Sequence, residues 1–285
     1  MKGISHLILV PGHSIWKPSS SASLGASQDE WYLEGFQKDG RDHMCFVNHI
    51  VSAIHILIDE WDTSMVIFSG GQTKIQAGPI SESQSYRNLA ERLLTTGAYA
   101  KFKETLGSDH GMLTESELGK FTNENPSDQY EHASLMSRIY TEEFARDSFE
   151  NVVLSLLRFK QITGTYPQKL TIVGFEFKRA RFVDHHLSTL GFPAGRVQYI
   201  GNSPTPPIED DREYFRSLRA AECKNAVSLF MKDLWGCAPP LLDKKSTRDP
   251  FNRGYGLTAQ ATIRLSPFLI TSLEALEDKL FRYKL

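Results

Sequence analysis

Leu7-Ile8-Leu9-Val10-Pro11-Gly12-His13-Ser14 is the stretch on which the reading of this 285-residue chain turns. Four apolar residues, two of them β-branched, run without polar alternation and stop at a Pro-Gly turn. A run that short and that apolar reads as a strand buried on both faces, as strands of a parallel sheet are. The pattern recurs at 65–68, where Met65-Val66-Ile67-Phe68 leads into Ser69-Gly70-Gly71-Gln72-Thr73, and again at 170–173 and 197–200. Helical periodicity fills the intervals at 42–58, 82–94, 149–159 and 179–190. Strand and helix in alternation imply right-handed crossovers, so the chain is predicted to form a three-layer, Rossmann-like α/β sandwich around a mainly parallel sheet.

The helix starts are chemically marked. Ser81-Glu82-Ser83-Gln84 has the capping-box pattern, with Gly97 placed to end the helix, and Asp147-Ser148-Phe149-Glu150 repeats the same logic. The polar stretch at about 97–141 is weakly periodic and reads as an insertion. A Pro-rich loop spans 202–207, a longer helical pattern covers 209–235, and a short one lies near 271–281. The expected organisation is one Rossmann-like domain over 1–235 and a helical C-terminal extension over 236–285 that packs on it.

Composition narrows the function classes. Lys and Arg number 32 against 34 Asp and Glu, a formal charge of −2. Nucleic-acid affinity rests largely on many cationic contacts to phosphate, so no nucleic-acid partner is expected. Cys45, Cys223 and Cys237 are too scattered for a disulfide framework or a paired-cysteine metal site. The apolar stretch at 46–58 contains Asn48, His49, Ser52 and His55, and is shorter than the roughly 20 residues a spanning helix needs. Lys2 is followed by too short an apolar run for a secretory leader. A cytoplasmic protein without a membrane partner is the expectation.

In a doubly wound sheet the ligand sits outside the carboxyl ends of the strands, so the segments that follow them are where chemistry is sought. Gly12 and His13 follow the first strand. His13 titrates near neutrality and could act as acid or base, the alternative being a hydrogen-bonded turn histidine. Ser69, Gly70 and Gly71 could turn backbone amides toward a phosphate or carboxylate, with Gln72 and Thr73 adding donors. The alternative is a tight turn that needs glycine for geometry alone. Glu82, in the first turn of the next helix, is a second candidate acid or base, or simply a residue favoured by the helix dipole.

Arg179 shares helical spacing with Val183, His186 and Leu190, which predicts that it faces the core at the ligand edge. Lys178 and Arg181 crowd the same helix start, where the dipole disfavours cations, and so imply an anionic ligand or an acidic partner such as Glu142, Glu143 or Glu176. Asp147 could serve as a catalytic carboxylate, with Arg146, Ser148, Asn151 and Glu176 completing the polar lining. His185 and His186 diverge on a helix, and His43, His49 and His55 are spaced by six, so no zinc site is read. The loop after the first strand has neither a GxGxxG nor a Walker pattern, and Ser69 and Ser14 lack the nucleophile elbow.

Taken together, the loop after the first strand, Ser69-Gly70-Gly71 with Ser81-Glu82, Ala145-Arg146-Asp147-Ser148 with Asn151, and Lys178-Arg179-Ala180 resemble the SanA/ElyC/YdcF family over most of residues 4–201. The likeness is to its eukaryotic, chiefly fungal branch through Gly12-His13, Trp31, Gly174-Phe175-Glu176-Phe177 and Arg248-Asp249-Pro250-Phe251. Pro11-Gly12-His13 and Glu176 stand where bacterial relatives tend to have a glycine-rich turn and a histidine. The resemblance implies a Rossmann-like fold with a polar pocket at the strand ends, built on Gly70, Gly71, Glu82, Asp147, Ser148, Asn151 and Arg179. One bacterial member is associated with S-adenosylmethionine binding, so that compound or a nucleotide is the cofactor the resemblance implies.

The function expected from the residues is action on a small anionic metabolite, a nucleotide or phosphorylated compound. Arg179 and the amides of residues 70–73 would hold it, and His13 or Glu82 would move the proton, in a hydrolase or transferase. The alternatives are a non-catalytic metabolite- or partner-binding module, and a metal-dependent hydrolase using Glu82, Glu142 or Asp147.

Overall fold

The computed structural model describes residues 3–17, 23–96, 129–207 and 211–253. Five parallel strands, β1 (His6–Pro11), β2 (Ser64–Ser69), β3 (Ile139–Glu142), β4 (Lys169–Phe175) and β5 (Val197–Asn202), stand in the order β3-β2-β1-β4-β5. The three-layer α/β sandwich is therefore the observed fold. Side chains of β1 alternate between two cores. Ile8 and Val10 pack under α2 (Asp42–Asp59) and α3 (Glu82–Thr95), whereas Leu7 and Leu9 pack under α5 (Ser148–Thr163) and the π-helical stretch Arg181–Leu187. Both faces are covered, which is why the strands read as unbroken apolar runs.

Among the described residues, α1 (Gly35–Asp39) precedes α2, α4 (Gln129–Met136) precedes β3, and α6 (Arg212–Glu222), α7 (Ser228–Phe230) and α8 (Leu241–Thr247) follow β5. Ser81 Oγ accepts the Gln84 amide at 2.9 Å and Asp147 Oδ1 accepts the Glu150 amide at 2.8 Å, so both predicted caps form. The return bond of the first box does not, because the Gln84 side chain turns to solvent.

Four expectations need correction. β3 lies inside the stretch read as insertion, and it escaped notice because this edge strand, Ile139-Tyr140-Thr141-Glu142, is half-buried and half polar. The helix expected over 179–190 is present but irregular: a 3-10 turn, Glu176–Lys178, leads into it and it is π-helical over Arg181–Leu187, which shifts the register of the side chains that follow. The helix expected over 209–235 runs continuously over 212–230 but widens to a second π-helical segment at Cys223–Val227. Glu82 apart, the polar residues after β2 are spent on the fold rather than offered to a ligand, as described below. Residues 97–128, Gly97 among them, and the helix read near 271–281 lie outside the described residues. Among the described residues no helix is long and apolar enough to cross a membrane.

Candidate functional site

The strand order reverses between β1 and β4. After β1 the chain leaves toward α2 on one face, and after β4 it turns to Arg181–Leu187 on the other. The crevice at such a switch point is where doubly wound sheets bind ligands. His13, two residues beyond β1, and Lys178, three beyond β4, meet in it: Lys178 Nζ stands 3.4 Å from His13 Nδ1.

His13 is held from several sides. Its backbone amide donates to the Tyr86 hydroxyl at 3.3 Å and its carbonyl accepts from Gln37 Nε2 at 2.9 Å. The ring lies among Phe46, His49 and Phe175, with centroids 5.0–6.0 Å away. An ammonium has only donors, so Nδ1 accepts and the ring proton sits on Nε2, which is buried without a hydrogen-bond partner. Burial first, then the charges of Lys178, Arg181 and Arg248, push the His13 pKa well below its ordinary value, so the ring is neutral at pH 7.

Lys178 lies against the Phe175 and Phe177 rings at 4.8 and 5.4 Å. Among the described residues no carboxylate comes within ion-pair distance of it. Burial and the neighbouring Arg181 bring its pKa down from 10.5 to about 7. Of the two acids whose charge acts on it, Glu222 and Asp42, the second, at the first turn of α2, is itself desolvated: its pKa rises to about 7, and Oδ1 has no hydrogen-bond partner. Arg181 is neutralised by Glu222 at 3.0 Å. A cation without a counter-ion thus occupies the switch point.

Glu82 reaches the same edge from α3. Its side chain rests on Gly12 and Gly70: a Cβ at Gly12 would stand 2.7 Å from Glu82 Cβ, and one at Gly70 2.6 Å from Glu82 Oε2. Only glycine leaves room for it at either position. Thr73 Oγ1 donates to Glu82 Oε1 at 2.6 Å, yet burial outweighs that bond and raises the Glu82 pKa. A carboxyl pushed toward its protonated form and an imidazole kept neutral therefore belong to one crevice, with Gly12 next to both.

The glycine amides do something other than expected. Gly70 N donates to Glu142 O at 3.0 Å and Gly71 N to Ala145 O at 2.8 Å, tying the loop to the segment after β3. The first amides of α3, on Glu82 and Ser83, are taken by the carbonyls of Gly71 and Gly70. The turn needs its glycines for close backbone approach, so the expected amide cradle is not formed. Gln72 Nε2 is engaged by Pro79 O at 2.7 Å.

Other expected lining residues also serve the fold. Ser69 Oγ donates to Glu142 Oε2 at 2.6 Å, and Asn151 Nδ2 donates to the Ser69 carbonyl at 3.0 Å. Glu142 is buried at the end of β3, and burial raises its pKa to about 7. Arg179 is the plainest correction. It directly follows the 3-10 turn that opens the helix, ahead of the π-helical stretch, and its side chain is 44% exposed and pairs with the equally exposed Glu176 at 2.6 Å, rather than facing the core. The acidic partner among the candidates is thus Glu176, three residues back.

Asp147 caps α5 and accepts a buried ion pair from Lys245 at 3.3 Å; Lys245 also stands 3.3 Å from Glu150 Oε1, which in turn holds Arg146 at 2.8 Å. Ser148 Oγ lies 2.7 Å from His186 Nε2, a nucleophile–base distance. However, His186 is fully buried among Phe149, Phe182 and Phe230, and burial with the charge of Arg181 depresses its pKa far below neutrality. An imidazole that cannot become imidazolium is a poor general base, so the pair is structural. Glu82, Glu142 and Asp147 each accept different protein donors, and among the described residues no three His, Cys, Asp or Glu side chains form a metal-holding group.

Lys245 arrives from α8 and is 3% exposed, with Nζ also donating to Trp235 O at 3.1 Å. It anchors the segment that carries Arg248 to the sheet edge, where Arg248, Arg146 and Arg253 line a small cleft with Gly71, Gln72 and the acids Glu143 and Asp249. Asp42 and His49 were also missed, although Asp42, Cys45, Phe46 and His49 follow helical spacing and form one stripe of α2; that signal was present. Nothing local marks Lys245 or Arg248, since their role depends on where the C-terminal segment packs.

Over 260 residues the chain is 38% identical to an uncharacterized protein of Saccharomyces cerevisiae, YOR238W, an alignment covering 87% of this chain and 84% of the yeast protein. No family profile and no solved structure matches it.

Proposed function

This chain belongs to the same family as the yeast protein YOR238W, and we propose that it binds and acts on a small anionic metabolite, a nucleotide or another phosphorylated compound, in the switch-point crevice. The observation that carries this reading is the Lys178 ammonium, held beside neutral His13 with no carboxylate in ion-pair distance among the described residues. An uncompensated, largely desolvated cation is costly, and an anion entering the crevice removes that cost.

In this reading Lys178 binds the anion and takes up the role first expected of Arg179 and the loop amides. Glu82, its pKa raised by burial, is the group that moves the proton, and His13, which burial keeps neutral, accepts from the Lys178 ammonium through Nδ1 and so positions it. Hydrolysis or group transfer is the reaction class. We place the protein in the cytoplasm in keeping with its three free cysteines, and we propose kinship with the SanA/ElyC/YdcF family, which adds S-adenosylmethionine to the compounds to be tried.

The test is a thermal-shift panel of nucleotides, sugar phosphates and S-adenosylmethionine on wild type and on Lys178→Met. At least one compound should raise the wild-type melting temperature and leave the variant unmoved. If no compound stabilises wild type more than a folded Lys178→Met protein, the reading is wrong.

A further inference from the structure

We propose that Arg248, carried on the C-terminal segment, is the second cation of this site, and that Lys178 and Arg248 together select a dianionic phosphoryl group over a carboxylate. The inference rests on the anion-binding reading and adds to it a residue and a ligand class.

Arg248 is exposed, and its guanidinium donates through Nη1 to the Arg146 carbonyl at 3.1 Å. Among the described residues no carboxylate lies within ion-pair distance of it, so most of its donor fork is open to a ligand. Its place is fixed by the buried Lys245 anchor three residues earlier. Gly236, at φ +63°, lets the chain pass that anchor, because a Cβ there would stand 3.1 Å from both Asp147 Oδ2 and Lys245 Nζ. Arg248 then borders the cleft beside Gly71 and Gln72, one residue from the Gly70 that supports Glu82. Its charge is felt at His13, Glu82, Lys178 and Arg181, on both sides of the switch point.

Charge balance gives the ligand class. Arg181 is cancelled by Glu222 and Arg146 by Glu150, while Asp42 and Glu82 are driven by burial toward their neutral forms. In the cleft Arg253 stands with Glu143 and Asp249, and its amide donates to Asp249 Oδ1, which leaves Lys178 and Arg248 as the pair offered to a ligand. Two cations match a phosphate monoester, which carries about −1.5 to −2 at pH 7, better than a carboxylate. The planar guanidinium adds bidentate geometry, and the anion draws onto Lys178 the proton that burial loosens.

Calorimetric titration of the full chain with inorganic phosphate, and with acetate at equal ionic strength, decides the matter. Wild type should bind phosphate about tenfold or more tightly than acetate. Arg248→Ala and Arg248→Gln should each lose roughly tenfold in phosphate affinity, and whichever keeps the wild-type melting temperature supplies the comparison. Phosphate binding that survives in that variant but is lost in Lys178→Met overturns the role of Arg248 and leaves the site reading intact. Acetate binding as tight as phosphate binding overturns the dianion preference alone. Binding of neither anion to wild type overturns both.

Discussion

Lys178 Nζ and His13 Nδ1 stand 3.4 Å apart across the gap between the chain leaving β4 and the chain leaving β1, where burial drives both toward their neutral forms. Burial, and after it the ammonium's charge, lowers the imidazole pKa well below its ordinary value, and burial with the charge of Arg181 brings the ammonium to a pKa of about 7.

The Lys178 shift predicts a pH slope. In the unfolded chain the lysine holds its proton to about 10.5, whereas the folded chain releases it near 7, so between those values the unfolded state binds more protons and stability rises with pH. Lys178→Met should flatten the rise and stabilise the ligand-free protein at pH 7 by on the order of 2–3 kcal/mol after allowance for partial exposure. Urea midpoints at pH 7 and 9.5 check it; equal slopes in the two proteins would count against it.

Glu142 predicts the opposite slope. Its pKa rises from 4.5 to about 7 on folding, so its contribution is fully present below pH 4.5 and is lost as pH passes 7. Glu142→Gln lacks this loss. Relative to wild type it should gain on the order of 3 kcal/mol between pH 4.5 and pH 8, measured by urea denaturation at both.

Lys245→Met leaves Asp147 and Glu150 with a buried negative charge and one cation, Arg146, between them. Removing one partner of a buried ion pair costs about 3–5 kcal/mol, and Asp147→Asn added to Lys245→Met should restore part of it. Thermal melts of the single and double variants give the comparison.

Arg179 pairs with Glu176 on an exposed surface. Arg179→Ala should cost less than about 1 kcal/mol and change phosphate binding less than about twofold. A large loss of binding in Arg179→Ala would return that residue to the site.

Ser148→Ala should cost about 1–2 kcal/mol, because His186 Nε2 then loses its partner in a buried setting. Wild-type Ser148 should also resist a fluorophosphonate probe. Labelling at Ser148, read by mass spectrometry, would show that the pair with His186 is a working nucleophile.

Much of the architecture was legible in the chain. Four of the five strands and the helices α2, α3 and α5 follow from periodicity and caps, because apolar runs and Ser or Asp caps act within a few residues of themselves. The placement of His13, Glu82 and Lys178 along one edge of the sheet was legible too. The β3 strand was hidden by its half-polar edge position.

What the tertiary structure alone decided is which polar groups were already engaged. Sequence shows that Gly70, Gly71, Asp147, Ser148 and Arg179 are able to meet a ligand; it does not show that Glu142 O, Ala145 O, Lys245, His186 and Glu176 reach them first. Those partners come from distant segments or, for Glu176, from the 3-10 turn that opens the next helix. Burial likewise separates Lys178 from Arg179, neighbours of the same charge: one is enclosed beside His13 with its pKa brought to about 7, the other stays in water beside Glu176. Desolvation depends on what packs around a group, and that is a property of the folded chain.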